Sequence, residues 1–182
     1  SQLDISKSES GNPFRKLNSD QMMDIMPRPR SKLCEFRTEQ GQGELVAIGV
    51  SLSTVATIRG FDFSGIDYMV YDECIPMVGE KPIKDEFNAF LNLYETVNRN
   101  RELEGRSAVK CIMLGNANRI ANPYFTGWHC MRRVLNMIRG NQYVWRSDDR
   151  TRMIILLLES PISQRKQETV LYRNANADFI EM

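Results

Sequence analysis

Apolar positions along this chain change their spacing from one stretch to the next, and the spacing predicts the elements. Residues 68–71, Tyr-Met-Val-Tyr, run without polar alternation. That pattern predicts a strand buried on both faces, as in a parallel sheet. Phe87, Phe90, Leu91, Tyr94 and Val97 then recur at i, i+3, i+4, i+7 and i+10, one face of a helix. Arg99 and Arg101 fall in its closing turns, where cations suit the helix dipole, and Gly105 is the expected stop. Residues 108–114 form a second apolar strand that ends at Gly115-Asn116. Strand, helix and strand at this spacing predict a βαβ unit with a right-handed crossover.

The flanks are less regular. Residues 1–32 are polar and loop-rich, with a turn at Gly11-Asn12-Pro13. Asn18-Ser19-Asp20 is expected to cap a helix over 21–26, ended by Pro27 and Pro29. Strands are expected over 33–38 and 44–50, around a hairpin loop at 40–43. Residues 50–58, rich in Ser, Thr and β-branched residues, read as another strand or an extended connection. Further on, Asn122-Pro123 is a turn, 128–138 a helix, 143–145 and 153–158 strands. Pro161 opens a last helix through Tyr172. The class is α/β.

Composition narrows the functions. The 182 residues suit one domain, and 42% hydrophobic residues provide for a core. A net charge of +1 gives no global field for nucleic acid or membrane, so anion binding must be local. Basic clusters occur at 28–32, at Arg99 and Arg101, and at Arg132, Arg133 and Arg139. Cys34, Cys74, Cys111 and Cys130 form no CxxC unit and are expected as reduced thiols. His129 is the single histidine, a weak basis for a ligand or a base. No signal peptide and no apolar run of membrane-spanning length occurs, so no membrane partner is expected. The methionines and the two tryptophans, Trp128 and Trp145, are expected to be packing or interface residues.

Two carboxylates, Asp72 and Glu73, directly follow the first apolar strand, and Asn116 follows the second. Ligands of open α/β sheets sit beyond the carboxyl ends of their strands, so three polar groups are expected to converge there. Nucleoside triphosphate hydrolysis fits this set. Asp72 would help hold a magnesium ion, Glu73 would accept a proton from the attacking water, and Asn116 would orient that water or sense the γ-phosphate.

The stretch 68–125 resembles the DNA-packaging (encapsidation) ATPase of small short-tailed, salasvirus-like bacteriophages, a terminase-like ASCE P-loop ATPase. The resemblance rests on VYDECI at 70–75, EFNAFLNLYETVNRNRE at 86–102 and CIMLGNANRIANPYF at 111–125, in that order and at similar spacing. It implies a central, mostly parallel sheet flanked by helices, with VYDECI as the Walker B strand. It implies that Asp72 is the magnesium-linked acid, Glu73 the catalytic glutamate, Asn116 the sensor and Arg99 an arginine finger reaching a neighbouring subunit's nucleotide. It implies ATP and Mg2+ as cofactors and a homo-oligomeric ring at the portal vertex of a prohead in the host cytoplasm. Its partners would be double-stranded DNA, the portal or connector, and a prohead RNA. Arg101 stays open as structural or DNA-facing, and Arg119, Arg132 and Arg133 are candidate DNA contacts.

The chain departs from that pattern in having no GxxxxGK[ST]. It is therefore expected to be a partial core, running from the Walker B strand to the sensor region. The phosphate loop and a small C-terminal nuclease-like domain would lie outside it, and the piece alone would bind ATP poorly and hydrolyse none. Two other readings stay open. One is a metal-dependent nuclease built on Asp72, Glu73, Glu86, Asp148 and Asp149. The other is a non-catalytic DNA-binding or assembly module using the arginine clusters.

Overall fold

The computed structural model describes residues 11–58, 60–75, 79, 83–116 and 119–157. The chain divides into two units, Ser1–Asp72 with Lys81–Leu114, and Glu73–Glu80 with Gly115–Met182. The helix expected from Pro161 to Tyr172 lies outside the described residues.

The first unit begins with helix α1 (Arg15–Gln21), earlier than the sequence predicts. Asn18 is the reason. It does not cap a following helix but sits inside α1, where its amide donates to the Ile25 carbonyl at 2.8 Å and accepts from the Ile25 N–H at 3.0 Å. Asn12 donates to the same carbonyl and accepts from the Phe14 N–H. These bonds fold the chain back so that Phe14 and Leu17 pack on Ile25, Cys34 and Phe36.

An antiparallel sheet follows, with strands β1 (Met26–Pro29), β2 (Cys34–Arg37) and β3 (Leu45–Gly49) in that order. Pro27 and Pro29 stop no helix. They lie in β1, an edge strand, where a missing N–H does least harm. The link between β2 and β3 is a short helical turn, α2 (Thr38–Gly41). Glu39, Gln40 and Gly41 there have positive φ, and the Thr38 hydroxyl accepts from the Glu44 N–H at 2.9 Å. Arg30 and Arg37 both pair with Glu35 and hold its carboxyl below the usual range, so Arg30 in the 28–32 cluster serves the sheet.

Residues 52–57 form a 3-10 turn (Leu52–Thr57) rather than a strand. The Thr54 and Thr57 hydroxyls donate to carbonyls three residues back, which gives the backbone an alternative to a ladder.

The βαβ unit is present. Strands β4 (Tyr68–Tyr71) and β5 (Lys110–Met113) pair in parallel, with Tyr71 opposite Met113, and helix α3 (Glu86–Asn98) lies between them in sequence. Among the described residues, parallel pairing is confined to these two strands. The buried stripe of α3 is Glu86, Phe90, Leu93 and Val97, turned slightly from the expected one, so that Leu91 is exposed. Leu93 and Val97 join Ile58, Phe63 and Val109 in the core, with Met69 packed against it. The expected burial of β4 on both faces holds for one face only. Tyr68 and Val70, with Ile112 and Leu114, remain exposed on the other.

The second unit carries helices α4 (Pro123–Gly127) and α5 (Met131–Arg139) and the antiparallel strands β6 (Val144–Arg146) and β7 (Met153–Ile155). Asn122 caps α4, accepting from the Tyr124 and Phe125 N–H groups at 3.1 and 2.9 Å, with Pro123 in the first turn. The single helix expected over 128–138 is broken because His129 adopts a left-handed backbone (φ 55°) between α4 and α5. Val134, Met137 and Leu156 form this unit's core, with Phe125, Trp145 and Ile154 around it. Among the described residues no helix is long and apolar enough to cross a membrane.

In the β6–β7 turn the Asp149 carboxylate accepts from the Ser147 hydroxyl and from the N–H and hydroxyl of Thr151. These bonds hold its pKa down to about 2 from an ordinary 3.8. A depressed carboxyl stabilises the fold above its unfolded pKa and stops doing so as pH falls through its folded one. The turn's contribution should therefore be complete above pH 3.8 and vanish as pH falls toward about 2. A carboxyl NMR titration would place the Asp149 midpoint near that lower value, and Asp149→Asn should remove the corresponding loss of hairpin order.

Candidate functional site

The site grows from the carboxyl ends of β4 and β5. Tyr71, the last residue of β4, is fixed in two ways. Its hydroxyl donates to Glu86 Oε1 at 3.0 Å, and its ring stacks on Phe90 at 5.8 Å. Glu86 is buried, so the βαβ helix grips the strand end through a carboxylate that the apolar pattern did not flag. The Leu114 N–H donates to the Tyr71 carbonyl at 2.9 Å, extending the pairing one residue past β5. Asp72 follows one of these paired ends directly, and Asn116 lies two residues beyond the other.

Asp72 and Glu73 are both exposed. Glu73 has φ 53°, a left-handed conformation that costs a non-glycine residue roughly 1–3 kcal/mol. It turns the chain so that the next two residues, Cys74 and Ile75, are buried. Gly115 lies against those two. A Cβ at this position would sit 3.0 Å from Cys74 Sγ and 3.0 Å from Ile75 Cγ1. Glycine therefore lets the segment after β5 pass beside the segment that carries Glu73. Asn116 is exposed next to it.

Arg99 and Arg101 have different fates. Arg101 is 6% exposed. Its guanidinium donates to the Ser107 carbonyl at 3.1 Å, to Asp67 Oδ1 at 2.5 Å and to the Ile66 carbonyl. It is structural: it ties the end of α3 to the start of β4. Arg101→Ala should destabilise the chain by about 3 kcal/mol, since hydrogen bonds to charged groups contribute roughly 1.5–3 kcal/mol each. Urea unfolding would measure it.

Arg99 is exposed at the C-cap of α3, with φ 43° and ψ −130°. The helix ends here and not at Gly105. The Asn98 side chain accepts from the Val109 N–H and donates to Glu102, which draws the chain off the helix axis. The Arg99 guanidinium lies 3.5 Å from the Phe61 carbonyl and helps lower the pKa of Asp62, behind the hydrogen bonds from Ser64. Arg99 is thus an exposed residue with strained backbone at the end of α3, held by weak contacts.

The acids of the nuclease reading are engaged separately, Glu86 by Tyr71 and Asp149 by its own turn. Among the described residues no group of three or more His, Cys, Asp or Glu side chains is placed to hold a metal ion. Arg119, Arg132 and Arg133 are exposed, the last two on α5. All four cysteines are free thiols.

Comparison with known proteins adds a family. The profile described as "Podovirus DNA encapsidation protein (Gp16)" matches residues 35–144, more than half of the chain. The "DNA packaging protein" of Bacillus phage PZA and that of Bacillus phage phi29 are each 36% identical to it over 84 residues. The match takes in 46% of this chain and only 24% of either relative's length. No solved structure matches the chain. The family match contains the whole βαβ unit with Asp72, Glu73, Arg99 and Asn116, and this chain belongs to the Podovirus DNA encapsidation protein family.

Proposed function

We propose that this chain is the acid-bearing part of an ATPase subunit in a ring-shaped motor that drives double-stranded viral DNA into a prohead. The observation that carries the reading is the pairing of β4 and β5, which start Asp72 and Asn116 from the same end of one parallel ladder. The packing of Gly115 on Cys74 and Ile75 supports it by bringing the two following segments side by side.

In this reading the sheet is the centre of a P-loop ASCE core whose phosphate loop lies on another segment of the polypeptide. Exposed carboxylates at a strand end have the right donor chemistry for a hard cation such as Mg2+. Asp72 would hold the ion, and Mg2+ when bound would neutralise charge on the phosphates of ATP. Glu73 takes the proton of the attacking water. Asn116 orients that water. Arg99 reaches across a subunit boundary to the phosphoryl group being transferred. The ring, the portal, a prohead RNA and a place at the portal vertex in the host cytoplasm belong to the same proposal.

The experiment is DNA encapsidation by the intact polypeptide with proheads, Mg2+ and ATP, scored as nuclease-protected DNA. Asp72→Asn should abolish protection at ordinary Mg2+ and leave prohead binding intact. Wild-type protection by the Asp72→Asn protein would remove Asp72 from the site.

A further inference from the structure

A second candidate site lies within the second unit and is lined by none of the residues given catalytic roles. A cavity of about 410 Å3 opens between the start of α5 and the β6–β7 hairpin. That volume falls within the range of small-ligand pockets, roughly 300–1,000 Å3. Arg132, Arg133 and Arg152 line it, together with Trp128, Trp145 and Asn136, and none of its described lining residues is acidic. In a chain of net charge +1 this is a local concentration of cations.

The aromatic groups decide what kind of anion fits. Trp128 and Trp145 are partly buried, whereas Arg132, Arg133 and Asn136 are exposed. The Arg133 guanidinium lies over the Trp145 ring, 5.4 Å from its centroid. A guanidinium stacked on an indole offers a flat, cationic surface to a planar ring. Asn136 follows Arg132 and Arg133 by four and three residues, so all three share one side of α5. Its amide can donate and accept at once, as the edge of a nucleobase requires. Arg152, on the hairpin side, approaches the Trp128 carbonyl at 3.5 Å and shares its charge with Asp149.

Arginines at the rim and indoles below suit a phosphate outside and a base inside. A duplex keeps its bases stacked on one another, and an acidic peptide has no ring to insert. We propose that this cavity binds an unpaired nucleotide of a nucleic-acid strand. The phosphate is held by Arg132 and Arg152, and the base is seated against Trp128 and the Arg133–Trp145 stack. This goes beyond the motor reading and does not depend on it.

Trp128 and Trp145 are the only tryptophans of the chain, so its tryptophan emission reports this cavity alone. The test is to titrate the 182-residue chain with oligothymidylate, oligouridylate, a blunt DNA duplex and polyglutamate at low salt. Saturable quenching by one or both single strands is expected, with little response to duplex or polyglutamate. Replacing both Arg132 and Arg152 by Ala should weaken it about tenfold, as for lost phosphate contacts, while Arg132→Lys retains most of it. Absence of quenching by both single strands would overturn the proposal. So would an equal response to duplex or polyglutamate, or unchanged affinity in the double-Ala variant. The readout involves neither ATP nor proheads, so its failure and the failure of the motor reading are separable.

Discussion

Glu73→Gln in the intact packaging polypeptide should lower steady-state ATP hydrolysis by roughly 10²–10⁴-fold, the usual contribution of a positioned general base. Nucleotide affinity should stay near wild type, because Gln keeps the side chain's shape and removes only the proton acceptor. The fold should also be unaffected. Glu73 is exposed, and Gln meets its left-handed backbone at a similar cost. The diagnostic pattern is a protein that binds ATP, joins proheads and protects no DNA. Loss of ATP binding together with hydrolysis would instead make Glu73 part of the binding surface.

Arg99→Ala carries the second large effect. If Arg99 completes a neighbouring subunit's site, its removal should lower turnover by about 10³-fold or more, the range for arginine fingers. Its own contacts are slight, a long approach to the Phe61 carbonyl and the nearby Asp62, so stability should change by less than about 0.5 kcal/mol. Arg101→Ala should show the reverse, a chain that unfolds early. Arg99→Gly separates the two effects further. Glycine accepts φ 43° without strain, so this variant should be more stable than wild type by about 1 kcal/mol yet equally inactive. A trans role also predicts that Arg99→Ala and Glu73→Gln proteins, mixed, recover some hydrolysis, because some interfaces then pair an intact glutamate with an intact arginine.

What could be read from the sequence was the middle of the chain. The unalternating run at 68–71 and the helical spacing from Phe87 to Val97 gave β4, α3 and β5, and with them the strand ends that carry Asp72 and Asn116. Apolar spacing is a direct record of packing in such elements. It was less informative where polar side chains make the structure. Asn18 looks like a helix cap and is a clamp on Ile25. The stretch 50–58 reads as a strand or an extended connection, but Thr54 and Thr57 bond back to the local backbone. Glu86 reads as a candidate metal ligand of the nuclease alternative and is buried against Tyr71.

Positive-φ backbone at non-glycine residues left no trace in the composition at all. Glu73, Arg99 and His129 each turn the chain where a sequence reader would look for glycine. Two of these three were candidate catalytic residues for other reasons. Six other described non-glycine residues, Met22 and Asn141 among them, share a positive φ, so the strain alone does not mark Glu73 and Arg99 as functional. The cavity beside Trp128 was hidden for a different reason, since it forms only where α5 and the hairpin that follows it come together, and apolar spacing does not record that.

The most direct measurement is a structure of the intact polypeptide with Mg2+ and a non-hydrolysable ATP analogue. The ion is expected on Asp72, directly or through one water, with Glu73 and Asn116 facing the γ-phosphate from the ends of β4 and β5. A nucleotide bound elsewhere, with Asp72 and Asn116 both open to solvent, would contradict it.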